Sequence, residues 1–270
     1  MNEFHTEPEP YSPQHNPLEQ SLNAASGLTT RSEYLKLTKT LTYSYIFVLP
    51  LILLYEIGIW LINAGQLSQI RIGADILIKR ILQFVGIDGT IWFSIVLLAI
   101  GGVILWYERK QKIPIRPRYF LFMVLESAVY GIALGILVSS LVASLFSLSW
   151  PPVLQVGERM SLSQGLVLSL GAGIYEELVF RLILVTLLVA LLSLTGIEGR
   201  RRYAIAAVIG ALIFSGVHYV GSLGDVFTVA SFTFRFLMGL ALNGLFLWRG
   251  FGIAAMTHAL YDIFVTLMQM

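Results

Sequence analysis

Seven apolar runs punctuate the chain, at residues 41–63, 89–107, 119–148, 163–193, 203–219, 227–248 and 251–269. Each approaches or exceeds the roughly 20 residues that carry a helix across about 30 Å of hydrocarbon. They predict seven transmembrane helices, or eight if one boundary is misplaced. The third and fourth runs are longer than a straight crossing needs, so tilt, a break or extension beyond the bilayer is expected there. Gly171 and Gly173 mark a place in the fourth run where the chain can bend. Between the first two runs, residues 66–86 (GQLSQIRIGADILIKRILQFV) repeat isoleucine and leucine at helical spacing, with Arg71, Lys79 and Arg80 among them. That pattern predicts an amphipathic helix lying in the membrane interface, with an ordinary loop helix as the alternative. Residues 1–35 are polar and rich in proline and glutamate. They predict a disordered cytoplasmic tail rather than a secretory signal. The fold expected is all-α: a polytopic transmembrane helical bundle forming one domain, 36–270, behind the tail.

Composition agrees. Of 270 residues, 56% are hydrophobic and 13% charged, against roughly 25% charged in soluble domains. Mean hydropathy is +0.77. A water-soluble fold of this length has no interior large enough for so much apolar side chain. Net charge is +2, and no basic patch gives the electrostatic footprint of a nucleic-acid binder. Cysteine is absent, which excludes disulfides and thiolate metal sites.

Loop charge predicts orientation. With the N-terminus inside, the inner set is Arg31, Lys36, Lys39, Arg109, Lys110, Lys112, Arg116, Arg118, Arg200, Arg201, Arg202 and Arg249. The outer set is Arg71, Lys79, Arg80 and Arg159. The bias predicts a cytoplasmic N-terminus in a cell membrane of prokaryotic type.

Charged groups inside spans are costly unless paired or turned to a polar cavity, which makes them functional candidates. Here they are Glu56, Glu126, Glu176, Glu177, Arg181, His218, Arg235, His258 and Asp262. Glu177 and Arg181 are four apart and share a helix face, so they can neutralise each other. Glu176 projects elsewhere and needs another partner. His258 and Asp262 are also one turn apart, and a carboxylate beside an imidazole can fix its tautomer. A buried salt-bridge cluster with no chemistry is the alternative for span four. Helices locked by a histidine hydrogen bond are the alternative for either histidine alone. For Glu56 and Glu126 the plain account is pairing with Arg181 or Arg235.

Three motifs occur in order: Glu176-Glu177-Leu178-Val179-Phe180-Arg181, Phe214-Ser215-Gly216-Val217-His218 and His258-Ala259-Leu260-Tyr261-Asp262. The set E-E-x-x-x-R, F-x-x-x-H, H-x-x-x-D resembles the CPBP family, the CAAX-protease and bacteriocin-processing enzymes also called the Abi family. Phe236-Leu237-Met238-Gly239 and the run ending at His258 look similar to it as well. The resemblance implies an intramembrane metalloendopeptidase with its core at about 163–270, acting on peptide or lipidated-protein substrates at the bilayer. Eukaryotic relatives trim prenylated CAAX proteins; bacterial relatives are associated with peptide maturation or bacteriocin immunity. It further implies Glu176 as the general base for water, with His218 and His258 assisting or binding metal, and Glu177 with Arg181 as a structural pair.

Asp262 stands where some members carry Asn. An ionised Asp cannot donate to an oxyanion, so it is expected to orient His258 or ligate a metal. Glu176, His218 and His258 would make a His₂Glu zinc set, and the same three could activate water without metal. Straight spans place His258 about 10 Å from the inner end of its helix and His218 about 22 Å along its own, so tilt, a fifth span that starts deeper or different span boundaries are required if both are to reach Glu176. Two other classes compete with the enzyme: a non-catalytic scaffold or immunity protein of the same family, and an ion or solute transporter lined by Glu56, Glu126, Glu176 and Arg235. No internal repeat of the kind common in transporters is present.

Overall fold

The computed structural model of the protein describes residues 31–64, 73–84, 89–147, 161–221 and 224–269. Most of the polar tail, Arg71, Arg159 and the start of the amphipathic stretch lie outside them. Helix α1 (Arg31–Leu37) has Glu33 in its first turn and Lys36 in its last. The bundle that follows comprises α2 (Leu41–Asn63), α3 (Gly73–Phe84), α4 (Gly89–Glu108), α5 (Pro117–Phe146), α6 (Leu162–Gly171), a π-helical segment (Ala172–Val185), α7 (Thr186–Ser193), α8 (Gly199–Val217), α9 (Val229–Arg249) and α10 (Phe251–Met268). No strand occurs among the described residues. Every predicted apolar run is helical, with ends within a few residues of those expected.

Four helices are long and apolar enough to cross a membrane: α2, α5, α9 and α10. The fourth predicted run is one continuous helical path divided by its π segment, and the fifth, α8, opens on Arg200, Arg201 and Arg202. The distribution of side chains is that of a membrane protein turned toward lipid. Leu53, Leu54, Ile57, Trp60 and Leu61 are exposed along α2, and Leu121, Leu125, Val129, Ile136 and Leu137 along α5. Asp75, Glu177, Arg181, Asn243, Arg249 and His258 are buried. Apolar residues outside and ionisable groups inside are tolerable only where lipid is the solvent and the inner groups are paired.

Helix ends are sealed. The Glu108 carboxylate accepts from the backbone N–H groups of Leu41 and Thr42 at 3.2 and 2.8 Å, placing an anion on the positive end of α2. Ser161 and Gln164 form a capping box at α6, and the Thr228 side chain caps α9. Gly250 alone turns α9 into α10, at φ 89°, a conformation that glycine adopts without strain.

Helix α10 is central, packing against α2, α5, α6, the π segment and α9. Its Gly252, Ala254, Ala255 and Ala259 are all buried, and small residues let neighbouring backbones come close. Arg249 does not behave as the loop residue expected from its position: it is buried and donates to Glu126 at 2.6 and 2.8 Å and to the Thr38 hydroxyl at 3.0 Å. The amphipathic stretch also departs from a helix resting wholly on the surface. The first turn of α3 inserts Ala74 and Asp75 into the bundle, where Asp75 accepts from the Tyr55 hydroxyl at 3.0 Å.

Candidate active site

Fourteen residues, Ala172–Val185, coil as a π-helix, a wider form that is rare and concentrated at functional sites. The spacing arguments from the sequence assumed an α-helix here, and the two glycines were the one local hint of irregularity. Gly173 is the closest approach of this segment to α10. A Cβ on Gly173 would stand 2.5 Å from Ala259 Cβ and 2.6 Å from Ala255 O, distances that real side chains do not occupy. Two residues on, the Tyr175 ring lies 5.1 Å from that of Tyr55, and its hydroxyl donates to Glu56 at 2.5 Å. The wall carrying Glu176 and Glu177 is thus fixed to α10 on one side and α2 on the other.

The three motifs converge. Oε2 of Glu176 lies 3.9 Å from Nε2 of His218 and 3.9 Å from Nε2 of His258. The other nitrogen of each imidazole is already committed. Nδ1 of His218 is 2.7 Å from the Phe214 carbonyl, which can only accept, so that nitrogen carries its proton. Nδ1 of His258 is 2.7 Å from Oε1 of Glu177, a carboxylate in an ion pair, so it donates as well. Each ring therefore turns its Nε2 toward Glu176. His218 caps the end of α8 while His258 lies on the third turn of α10, and both reach Glu176.

Behind this cluster lies a sealed support. Glu177 and Arg181 are both 0% exposed and pair at 3.0 Å. The Phe214 ring covers the Arg181 guanidinium at 4.2 Å, a cation–π contact in a dry site. Phe214 also meets the rings of His218 at 4.8 Å, Phe180 at 5.2 Å and His258 at 6.5 Å. Gly239 on α9 makes room for it, since a Cβ there would lie 2.8 Å from the ring. Toward the open side, side-chain exposure rises to 8% at His258, 15% at Glu176, 23% at His218 and 29% at Asp262.

Two assignments differ from the sequence expectation. Oδ2 of Asp262 lies 3.4 Å from Nε2 of His258, the nitrogen facing Glu176, so the contact that orients the ring from behind belongs to Glu177. No spacing rule could find it, because residues 177 and 258 meet only in the fold. Likewise Glu126 pairs with Arg249 and Glu56 accepts from Tyr175, neither with Arg181 or Arg235. Arg235 pairs instead with Asp225 and donates to the Tyr219 hydroxyl at 2.7 Å.

For zinc, the donors are right in kind: two imidazole nitrogens and a carboxylate. Their spacing is not that of a formed tetrahedral site. Zinc bonds of about 2.0 Å put neighbouring donors about 3.3 Å apart, less than the 3.9 Å found from Glu176 to each imidazole. Among the described residues no three His, Asp or Glu side chains are assembled to hold an ion.

Fold and composition together define an integral membrane protein. Residues 158–264 match the family described as Rce1-like, type II CAAX prenyl endopeptidase Rce1-like, and all three motifs lie within the matched stretch. No curated protein and no solved structure matches the chain.

Proposed function

We propose that the protein is an intramembrane endopeptidase that hydrolyses a peptide bond in CAAX-type, membrane-associated substrates, with Glu176 as general base. One observation carries this reading: a partly exposed carboxylate equidistant from the Nε2 atoms of two imidazoles, each anchored through Nδ1 on its far side. A gap of 3.9 Å is too long for a direct hydrogen bond and suits a water held between the groups. Glu176 removes a proton from that water as it attacks the scissile carbonyl, and returns the proton to the departing amine. His218 Nε2 accepts the water's second hydrogen and aims its lone pair. His258, carrying a proton on each ring nitrogen between the Glu177 and Asp262 carboxylates, donates from Nε2 toward the developing oxyanion while Nδ1 stays on Glu177. Asp262 holds that Nε2–H in line. The family match supports the peptidase class, and the burial of Glu177 and Arg181 supports their role as scaffold.

Zinc is the second reading, favoured by the two Nε2 atoms turned toward one carboxylate. It requires the three donors to close by about half an ångström.

The test is cleavage of a lipidated CAAX peptide and of leader-type peptides by detergent-purified protein. Glu176→Ala and His258→Ala should each lose about 10²- to 10⁴-fold in rate while keeping the wild-type unfolding temperature. Full activity in both variants would remove the site assignment and return Glu176 and His258 to a structural reading. A rate abolished by a chelator and restored by zinc selects the metal mechanism; an unchanged rate selects the water mechanism.

A further inference from the structure

Three arginines on the helices around the site differ in access. Arg181 and Arg249 are 0% and 1% exposed and are sealed against glutamates. The Arg235 side chain is 20% exposed, and its partner Asp225, on the loop after α8, is 47% exposed. A cation on a membrane-spanning helix, neutralised only by a carboxylate that solvent can reach, is poised to exchange one carboxylate for another without burying net charge.

The surroundings of Arg235 are built. Its guanidinium lies 5.2 Å over the Tyr219 ring and donates to the Tyr219 hydroxyl at 2.7 Å. That hydroxyl is 2.8 Å from Ser231 Oγ, and Ser231 is itself held by the Thr228 cap of α9. The ring is packed by Phe227 at 5.1 Å. The planar donor face is therefore held in one orientation, which is what two-point recognition of a carboxylate requires.

Tyr219 follows His218 directly, and the bond from Arg235 to its hydroxyl keeps the guanidinium within about 13 Å of the His218 backbone, a range that includes the reach of about three extended residues. A CAAX terminus has three residues beyond its cysteine and ends in a free carboxylate. We infer that Arg235, with the Tyr219 hydroxyl, binds the C-terminal carboxylate of the peptide substrate, and that Asp225 occupies this position until substrate displaces it. The inference rests on the peptidase reading for its choice of ligand.

The experiment measures binding of a farnesylated CAAX peptide, as the free acid and as the C-terminal amide. The full chain is used in the Glu176→Gln background, where turnover does not intrude. The acid should bind at least about tenfold tighter than the amide. Arg235→Gln should bring the acid-to-amide ratio close to one, with Arg235→Lys between the two. Asp225→Asn, a change at an exposed position, should instead raise the ratio by freeing the arginine. Equal binding of acid and amide, a ratio that survives Arg235→Gln, or binding of neither peptide overturns the inference. Cleavage by the wild type, measured beside it, separates the two readings. Acid-selective binding without cleavage removes the peptidase and leaves the carboxylate site. Cleavage with no acid preference removes the carboxylate site and leaves the peptidase.

Discussion

Arg249 and Arg181 are both cut off from solvent and both paired with a glutamate, yet the pairs are put together differently. Arg249 ties α9 to α5: its Nε and Nη2 meet the two oxygens of Glu126, and Nη2 also reaches the Thr38 hydroxyl. Both carboxylate oxygens are spent on the guanidinium, and the contact spans 123 residues of sequence. Arg181 and Glu177 are one local turn apart and join no two helices by themselves. The Arg181 guanidinium is held by charge and by the Phe214 ring, with no well-aligned hydrogen bond among the described residues. Glu177 directs the same oxygen, Oε1, at Arg181 and at Nδ1 of His258. The first pair is a staple. In the second, the arginine keeps an anion buried so that the anion can orient a histidine.

That contrast can be broken first at Glu177. Glu177→Leu strands a buried guanidinium and releases the ring of His258. A loss of about 3–5 kcal/mol in stability and of about 10²-fold or more in kcat should be read by chemical denaturation and peptide cleavage. The double variant Glu177→Leu/Arg181→Leu removes both charges and should recover most of the stability with none of the activity. Recovery of activity in the double variant would contradict the orienting role of Glu177.

Arg249→Leu supplies the other half of the comparison. It should cost about 3–5 kcal/mol, largely regained with Glu126→Leu in the double variant, while kcat of the folded fraction stays at the wild-type value. A lasting fall in kcat in that double variant would make the staple part of the site.

A smaller effect is expected from Gly173→Ala. The added methyl meets Ala259 and the Ala255 carbonyl, so the π segment must move at least about half an ångström away from α10. The rate should fall about tenfold, since misplacement of an ångström can cost about 10²-fold, with KM little changed. Equal rates would show that the 3.9 Å gaps tolerate movement.

The helices were legible because lipid imposes one simple requirement, a long apolar run: all seven runs are helical, and four of the helices are long and apolar enough to cross a membrane. The three motifs were legible because each fits within one helix or at its end. What could not be read lies between helices or in the backbone itself. The bonds of Glu177 to His258, Glu126 to Arg249 and Tyr175 to Glu56 join residues far apart in the chain. The burial of Asp75 was hidden because an amphipathic pattern does not say which polar residue turns inward. A π coil leaves the apolar pattern almost unchanged, since it alters which carbonyl each N–H meets rather than which residues are greasy.

The coil has a mechanical side as well. As an uninterrupted α-helix, Leu162 to Ser193 would rise about 48 Å, well beyond a hydrocarbon slab of about 30 Å. Hydrogen bonds that reach five residues back put more residues in each turn, so the rod is stouter and shorter for the same length of chain. Some of the mismatch that would otherwise be met by tilt is taken up there. One stretch of backbone thereby sets how Glu176 and Glu177 are aimed and how much bilayer thickness their helix demands.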